Sequence, residues 1–199
     1  MTDFTEITSF PITLPIEKIN KRLKLPRNYN DEMILKEIKS FIPLMETIAR
    51  FKALSLKIEG EIITIDNKYS FVSSSLSKHL FECEKVTLLA VSLGIYLEQK
   101  IEKFQNSGKT LKVIIGDAVG SEYVEESAKY ISEIIGRSIK KKGFIPTKRF
   151  SPGYGDLSLE VQNIFFEELI LNEIGINLND SLLMTPQKSI TAFIGWKNS

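Results

Sequence analysis

The stretch Arg149-Phe150-Ser151-Pro152-Gly153-Tyr154-Gly155 concentrates the residue types in this chain best suited to holding a small ligand. Pro152 fixes its own φ and biases Ser151 toward extended backbone. Gly153 exposes main chain and permits a positive φ. An arginine and a tyrosine are thereby held around a rigid stretch of backbone with few side chains. The guanidinium can grip a carboxylate through two parallel hydrogen bonds, and bare N–H and C=O groups can read polar edges. Such a loop suits a flat or zwitterionic ligand. The same Pro-Gly pair also serves an ordinary structural turn, and the residues alone leave both readings open.

Other chemistry is sparse. One cysteine, Cys83, excludes an internal disulfide framework and a multi-thiolate metal site. One histidine, His79, excludes multi-histidine metal sites and leaves a single candidate for a Ser–His nucleophile pair. Cys83 reads as a small buried hydrophobe and His79 as a surface or helix residue. Lys and Arg number 26 against 25 Asp and Glu, a net charge of +1. That balance excludes a strongly basic nucleic-acid binder unless charge is segregated in space. No run approaches the roughly 20 apolar residues of a membrane helix. The start, Met1-Thr2-Asp3-Phe4-Thr5-Glu6, carries acid and leads into no apolar run, so a signal peptide is not expected. A lone thiol without an export signal points to the reducing cytoplasm.

The elements that must position the loop are read from periodicity. With 199 residues, 43% of them apolar, the chain suffices for one domain with its own core. Phe10 to Pro15 reads as an edge strand and Ile16 to Leu23 as a short helix. Asn30-Asp31 caps a helix through Met33, Ile34, Ile38 and Phe41. Pro43 interrupts it, with helix expected to resume through Leu44, Ile48 and Phe51. Ala53–Ile58 and Ile62–Ile65 form a hairpin about Glu59-Gly60-Glu61. Leu76–Phe81 is a short helix, Val86–Val91 a buried strand ended by Gly94, and Ile95 begins another helix.

Lys109 to Lys142 carries the strongest helical stripe, with Gly143 as its stop. Gly116, Gly120 and Gly136 inside it point to close packing or ligand approach, and the alternative is a helix broken into two or beginning near Ala118. Lys140-Lys141-Lys142 reads as a solvated helix end or a face for an acidic partner. Phe144 to Gly155 runs extended, Leu159–Leu171 is an amphipathic helix, and Gly175 caps it. Leu182–Met184 and Ile190–Trp196 close the chain as strands. Interspersed elements without regular βαβ alternation predict an α+β single domain over residues 1–199, with a mostly antiparallel twisted sheet flanked by helices.

The loop also belongs to a recognisable set of motifs. Arg149-Phe150-Ser151-Pro152-Gly153-Tyr154 resembles the Arg-Pro-x-Pro-Gly-Tyr signature of the activation domain of cobalamin-dependent methionine synthase. Val86-Thr87-Leu88-Leu89-Ala90-Val91-Ser92-Leu93-Gly94 resembles that family's apolar strand ending in Leu-Gly. Asp117-Ala118-Val119-Gly120-Ser121 with Val124-Glu125 resembles its Asp-Ala-x-Gly-Ser…Val-Glu helix, and Met184-Thr185-Pro186-Gln187-Lys188-Ser189-Ile190 its Met-x-Pro-x-x-Ser-Val segment. The resemblance is strongest over residues 86–195. Phe150 stands in place of the signature's first proline. Ile194 stands where the large enzymes carry an aromatic contact, with Phe193 and Trp196 as the nearby residues that could supply it.

The resemblance implies a chain that binds S-adenosylmethionine. In it, Arg149 meets the ligand carboxylate, Ser151 offers backbone contacts, and Gly153 and Tyr154 match the family's glycine and ligand-contacting tyrosine. Glu125 is the candidate for the ligand's ammonium group, with Glu126 adjacent and a solvated helix face as the alternative. The implied role is a stand-alone reactivation subunit, with cobalamin supplied by a partner domain or chain and a flavodoxin-like protein as reductant. No nucleic acid or membrane is implied. A module for another corrinoid methyltransferase and a non-catalytic S-adenosylmethionine-binding regulator are the competing expectations.

Overall fold

The computed structural model describes residues 3–198. Its elements in chain order are β1 (Thr5–Thr8), α1 (Ile16–Arg22), α2 (Glu32–Ser40), β2 (Ile48–Glu59), β3 (Ile62–Ile65), β4 (Tyr69–Val72) and α3 (Ser74–His79). There follow β5 (Cys83–Ser92), α4 (Tyr96–Asn106), α5 (Thr110–Lys141), β6 (Phe144–Pro146), α6 (Gln162–Leu169), β7 (Asn177–Leu178), β8 (Met184–Thr185) and β9 (Ser189–Asn198). The main sheet runs β4-β3-β2-β5-β9-β6, with β1 sharing the outer edge of β2. Each of its pairings is antiparallel. The α+β reading with an antiparallel sheet flanked by helices is the observed architecture.

The central strand β5 is buried on both faces, which is why its sequence is a continuous apolar run rather than an alternating one. Leu89 and Val91 pack with Ala128, Ile131, Ile135 and Ile139 of α5. Leu88 and Ala90 face the opposite layer, with Ile164, Phe165 and Leu169 of α6. A third cluster joins Ile19 of α1, Ile38 of α2 and Leu97 of α4 to the N-terminal half of α5. Asp31 caps α2 by accepting a hydrogen bond from the N–H of Ile34 at 3.0 Å. The buried Arg50 of β2 donates to the carbonyls of Leu169 and Ile170 at 2.9 and 2.6 Å, satisfying orphan acceptors at the end of α6.

α5 is a single unbroken helix of 32 residues, so the broken alternative falls. A Cβ on Gly116 would lie 2.7 Å from the ring of Phe41, and one on Gly120 would lie 2.6 Å from Leu97. Those glycines let α2 and α4 approach α5 closely.

Four local expectations are corrected. Phe10–Pro15 is not a strand: the first strand is β1, and Phe10 instead stacks on Tyr130 of α5 at 5.7 Å. Pro11 and Pro15 remove the donors a ladder would need. The chain does not resume as helix after Pro43. A short 3₁₀ turn, Ile42–Leu44, leads into β2, whose residues 48–51 pair with β5 on one side and β1 on the other. Two-sided pairing outweighs the weak helical spacing there. The expected helix over 159–171 is three pieces: 3₁₀ turns on either side of α6, with Ile170 in the left-handed region at φ 48°. Leu182 is likewise left-handed, φ 60°, so the strand begins only at Met184. The strand β4 carries no expectation from sequence.

Candidate functional site

A cleft of about 1280 Å³ opens between the C-terminal half of α5 and the loop that follows β6. α5 contributes residues at helical spacing, Glu125, Lys129, Ser132, Glu133, Gly136 and Lys140. The opposite wall is the run from Pro146 to Pro152 together with Tyr154. Gln162, the β7–β8 connection and the first half of β9 close the remaining side.

The loop is registered by the sheet. Phe150 and Phe193 exchange two backbone hydrogen bonds of 3.0 and 2.8 Å. Main-chain groups of alternate residues in an antiparallel strand point to the same edge, so those of Thr191 also point away from β5, toward the cleft that Thr191 lines. His79 supports the loop from behind. Its Nε2 hydrogen-bonds the Lys148 carbonyl at 2.7 Å and its ring lies 5.2 Å from that of Phe150. Phe150 therefore anchors the loop by packing, where the family signature has a proline.

The two residues expected to hold a zwitterion meet each other. Arg149 Nη2 donates to Glu125 Oε2 at 3.0 Å, from opposite walls of the cleft. Glu126 does not line this cleft and pairs with Lys18 of α1. Ser151 and Tyr154 line the cleft, Tyr154 at its rim with 69% of its surface exposed. Gly153 does not line it. Its φ is +84° and its N–H donates to the Leu157 carbonyl at 2.9 Å, so it shapes the turn.

Two features of the expected motifs serve packing. Lys188 donates to Asp117 at 2.6 Å and to Ser121 at 3.1 Å, tying the residue before β9 to α5. Two motifs distant in sequence are thus one structural seam. Ile194 lines the cleft as an aliphatic wall. Phe193 turns to the other face against Phe165, 4.7 Å between ring centres, and Trp196 lies in the α5 layer with its indole N–H on Thr87 at 2.7 Å. Neither supplies the aromatic contact in its place.

Sequence reasoning missed the buried polar side chains at the inner end of the cleft. Gln162 is 3% exposed, Thr191 3% and Ser189 8%. Gln162 donates to the Leu182 carbonyl at 2.7 Å, and Ser189 to Ser92 at 2.9 Å. It also missed Asp156, just beyond the signature, whose carboxylate is held well below the usual range by the Ser73 hydroxyl and then the N–H groups of Ser75 and Ser74. The cleft wall carries five cations, Lys129, Arg137, Lys140, Lys148 and Arg149, against Glu125 and Glu133. Among the described residues, no group of three or more His, Cys, Asp or Glu is placed to hold a metal ion. No helix among them is long and apolar enough to cross a membrane.

No protein-family model matches the chain, and no curated protein matches it. Among solved structures it is similar to the crystal structure of the MetH reactivation domain bound to AdoHcy. The TM-score is 0.72 at 15% sequence identity, covering 96% of this chain and 78% of that one. The chain is therefore built on the fold of the MetH reactivation domain, the architecture that its short motifs resemble.

Proposed function

We propose that the cleft binds S-adenosylmethionine. We further propose that the chain, as one domain over residues 1–199, is a stand-alone reactivation subunit of cobalamin-dependent methionine synthase. It would serve the reductive remethylation of oxidised cobalamin in methionine biosynthesis, in the cytoplasm. The observation that carries the reading is the Arg149–Glu125 pair spanning the cleft at 3.0 Å. A ligand bearing both a carboxylate and an ammonium group on one carbon exchanges that pair for two of its own, carboxylate to Arg149 and ammonium to Glu125. The bare backbone around Ser151 and Pro152 then faces the adenosyl part, and Tyr154 covers it at the rim. The volume of the cleft supports the fit, being ample for a ligand of that size. The fold, shared with a domain solved with AdoHcy, supports it too.

S-adenosylmethionine supplies, when bound, an electrophilic sulfonium methyl group. The acceptor in this reading is the cobalt of a cobalamin carried by a partner module, with a flavodoxin-like protein as electron donor. The chain's own contribution is positioning. Transfer of a sulfonium methyl needs no general acid or base, and fixing the donor turns a bimolecular encounter into an oriented one.

Calorimetric titration with S-adenosylmethionine tests the reading. The wild type binds, and Arg149→Ala loses roughly 10- to 100-fold in affinity, the worth of a charged hydrogen-bonded contact. A wild type that binds nothing overturns the reading. A mutant that binds as well as the wild type overturns the carboxylate clamp. Binding without recovery of methylcobalamin, when the chain is combined with a methionine synthase lacking its own activation domain, overturns the reactivation role.

A further inference from the structure

The loop that carries Ser151, Pro152 and Tyr154 into the cleft is held on its N-terminal side by the Phe150–Phe193 pairing, and on its C-terminal side it is fastened to α3 through Asp156. Asp156 accepts a hydrogen bond from the Ser73 hydroxyl at 2.7 Å. It accepts two more from the N–H groups of Ser74 and Ser75, at 2.7 and 3.0 Å. These are first-turn donors of α3 that have no intrahelical partner. Beside it, Gly155 lies so close to α3 that a Cβ there would stand 2.4 Å from the Ser75 hydroxyl. Its φ of +59° is one that side chains resist. Within the loop, Gly153 N–H to Leu157 O and Leu157 N–H to Tyr154 O close the turn at 2.9 and 3.1 Å. Ser73 itself caps α3 by accepting from Leu76 N–H at 3.1 Å, so one hydroxyl joins helix and loop.

Resting on the S-adenosylmethionine reading, we propose that Asp156 is a positioning residue that locks the ligand-binding loop to the start of α3 before ligand arrives. The carboxylate touches no part of the cleft. It acts through Tyr154 and Ser151, by removing the disorder that binding would otherwise have to remove. The arrangement requires an acid at that position, because three donors converge on two oxygens. An amide presents one acceptor oxygen and turns an NH₂ group toward the remaining donors. The lack of a side chain at Gly155 is what lets the loop backbone come close enough to α3 for these bonds to form.

The test combines binding with hydrogen exchange. In Asp156→Asn, affinity for S-adenosylmethionine falls about tenfold, and Asp156→Glu restores it to within threefold of the wild type. Without ligand, the amides of Ser74, Ser75, Gly153 and Leu157 exchange at least tenfold faster in Asp156→Asn, while those of β5 and β9 keep their protection. A merely structural role would lower protection throughout and would not spare those strands. Unchanged affinity in Asp156→Asn overturns the proposal, and so does a loss of protection shared equally by β5 and β9. Should Asp156→Asn fail to fold, Ser73→Ala removes one of the three bonds together with the α3 cap and is expected to weaken binding about threefold; no change there overturns the proposal. A wild type that fails to bind overturns the ligand reading instead, and the exchange pattern then decides the lock by itself.

Discussion

Glu125 and Glu126 are neighbours in sequence with opposite assignments in space, and they give a sharp test at the level of single residues. Glu125→Gln is expected to weaken S-adenosylmethionine roughly tenfold, because a charged acceptor is lost. Glu126→Gln, which loses a partner on α1, leaves affinity within twofold; calorimetry separates the two. A second residue carries a pH prediction. Glu168 is almost buried, and burial alone pushes its carboxyl up, but hydrogen bonds from Lys52, Tyr69 and Lys68 bring it down to about 2. The contacts are 2.8, 2.7 and 3.2 Å. A carboxyl depressed on folding contributes stability that is present above its unfolded value and lost as pH falls toward the folded one. Stability should therefore decline between about pH 5 and pH 2. That limb, worth on the order of 3 kcal/mol, should be flatter in Glu168→Gln, as read by urea unfolding across pH.

Among the elements, α5 is the one on which the whole arrangement depends. Its N-terminal half is sewn to α1, α2 and α4, and its C-terminal half both covers β5 and β9 and forms a wall of the cleft. The three internal glycines do different jobs. Gly116→Ala drives a methyl into the buried ring of Phe41 and should cost about 1–3 kcal/mol through overpacking. At Gly136 a Cβ would meet Pro146 at an ordinary 3.5 Å, so Gly136→Ala should stabilise the helix by up to about 1 kcal/mol. Urea midpoints report both. The sequence makes α5 legible because its apolar stripe repeats over many turns, and the glycines flag close approach without saying which neighbour approaches. Short elements are less legible. The stretch from Ile48 to Phe51 fits a helical spacing by coincidence, and only pairing with β5 and β1 makes it strand. Ile170 and Leu182 adopt left-handed backbone that their side chains do not announce.

At the scale of the whole molecule, the proposed binding would be linked to folding. Ligand that binds only the folded state at 100 times its dissociation constant adds about 2.7 kcal/mol to stability. S-adenosylmethionine should accordingly raise the unfolding midpoint of the wild type, and by much less that of Arg149→Ala, in a thermal melt followed through the single tryptophan, Trp196. The same scale explains what in the site could be read in advance. Arg149, Ser151 and Tyr154 are punctuated by Pro152 and Gly153, so their loop stands out locally. Gln162, Thr191 and Ser189 carry no such mark. They are ordinary polar residues until α6 and β9 are folded against the cleft and bury them, and Asp156 becomes a lock only once α3 is brought to it.

The ion pair across the cleft has one more consequence. Because Arg149 and Glu125 pair with each other at 3.0 Å, an incoming ligand must replace both halves of that contact. A compound with the carboxylate but no ammonium, or the reverse, makes only one of the two charged contacts in exchange for the pair, and one with neither must leave the pair closed and forgo both. The cleft should thus bind decarboxylated S-adenosylmethionine and 5′-methylthioadenosine, which lack one or both of those groups, more weakly than S-adenosylhomocysteine, whose amino-acid end is whole. With one ion pair lost and two gained, its affinity for that ligand should also vary only gently with salt.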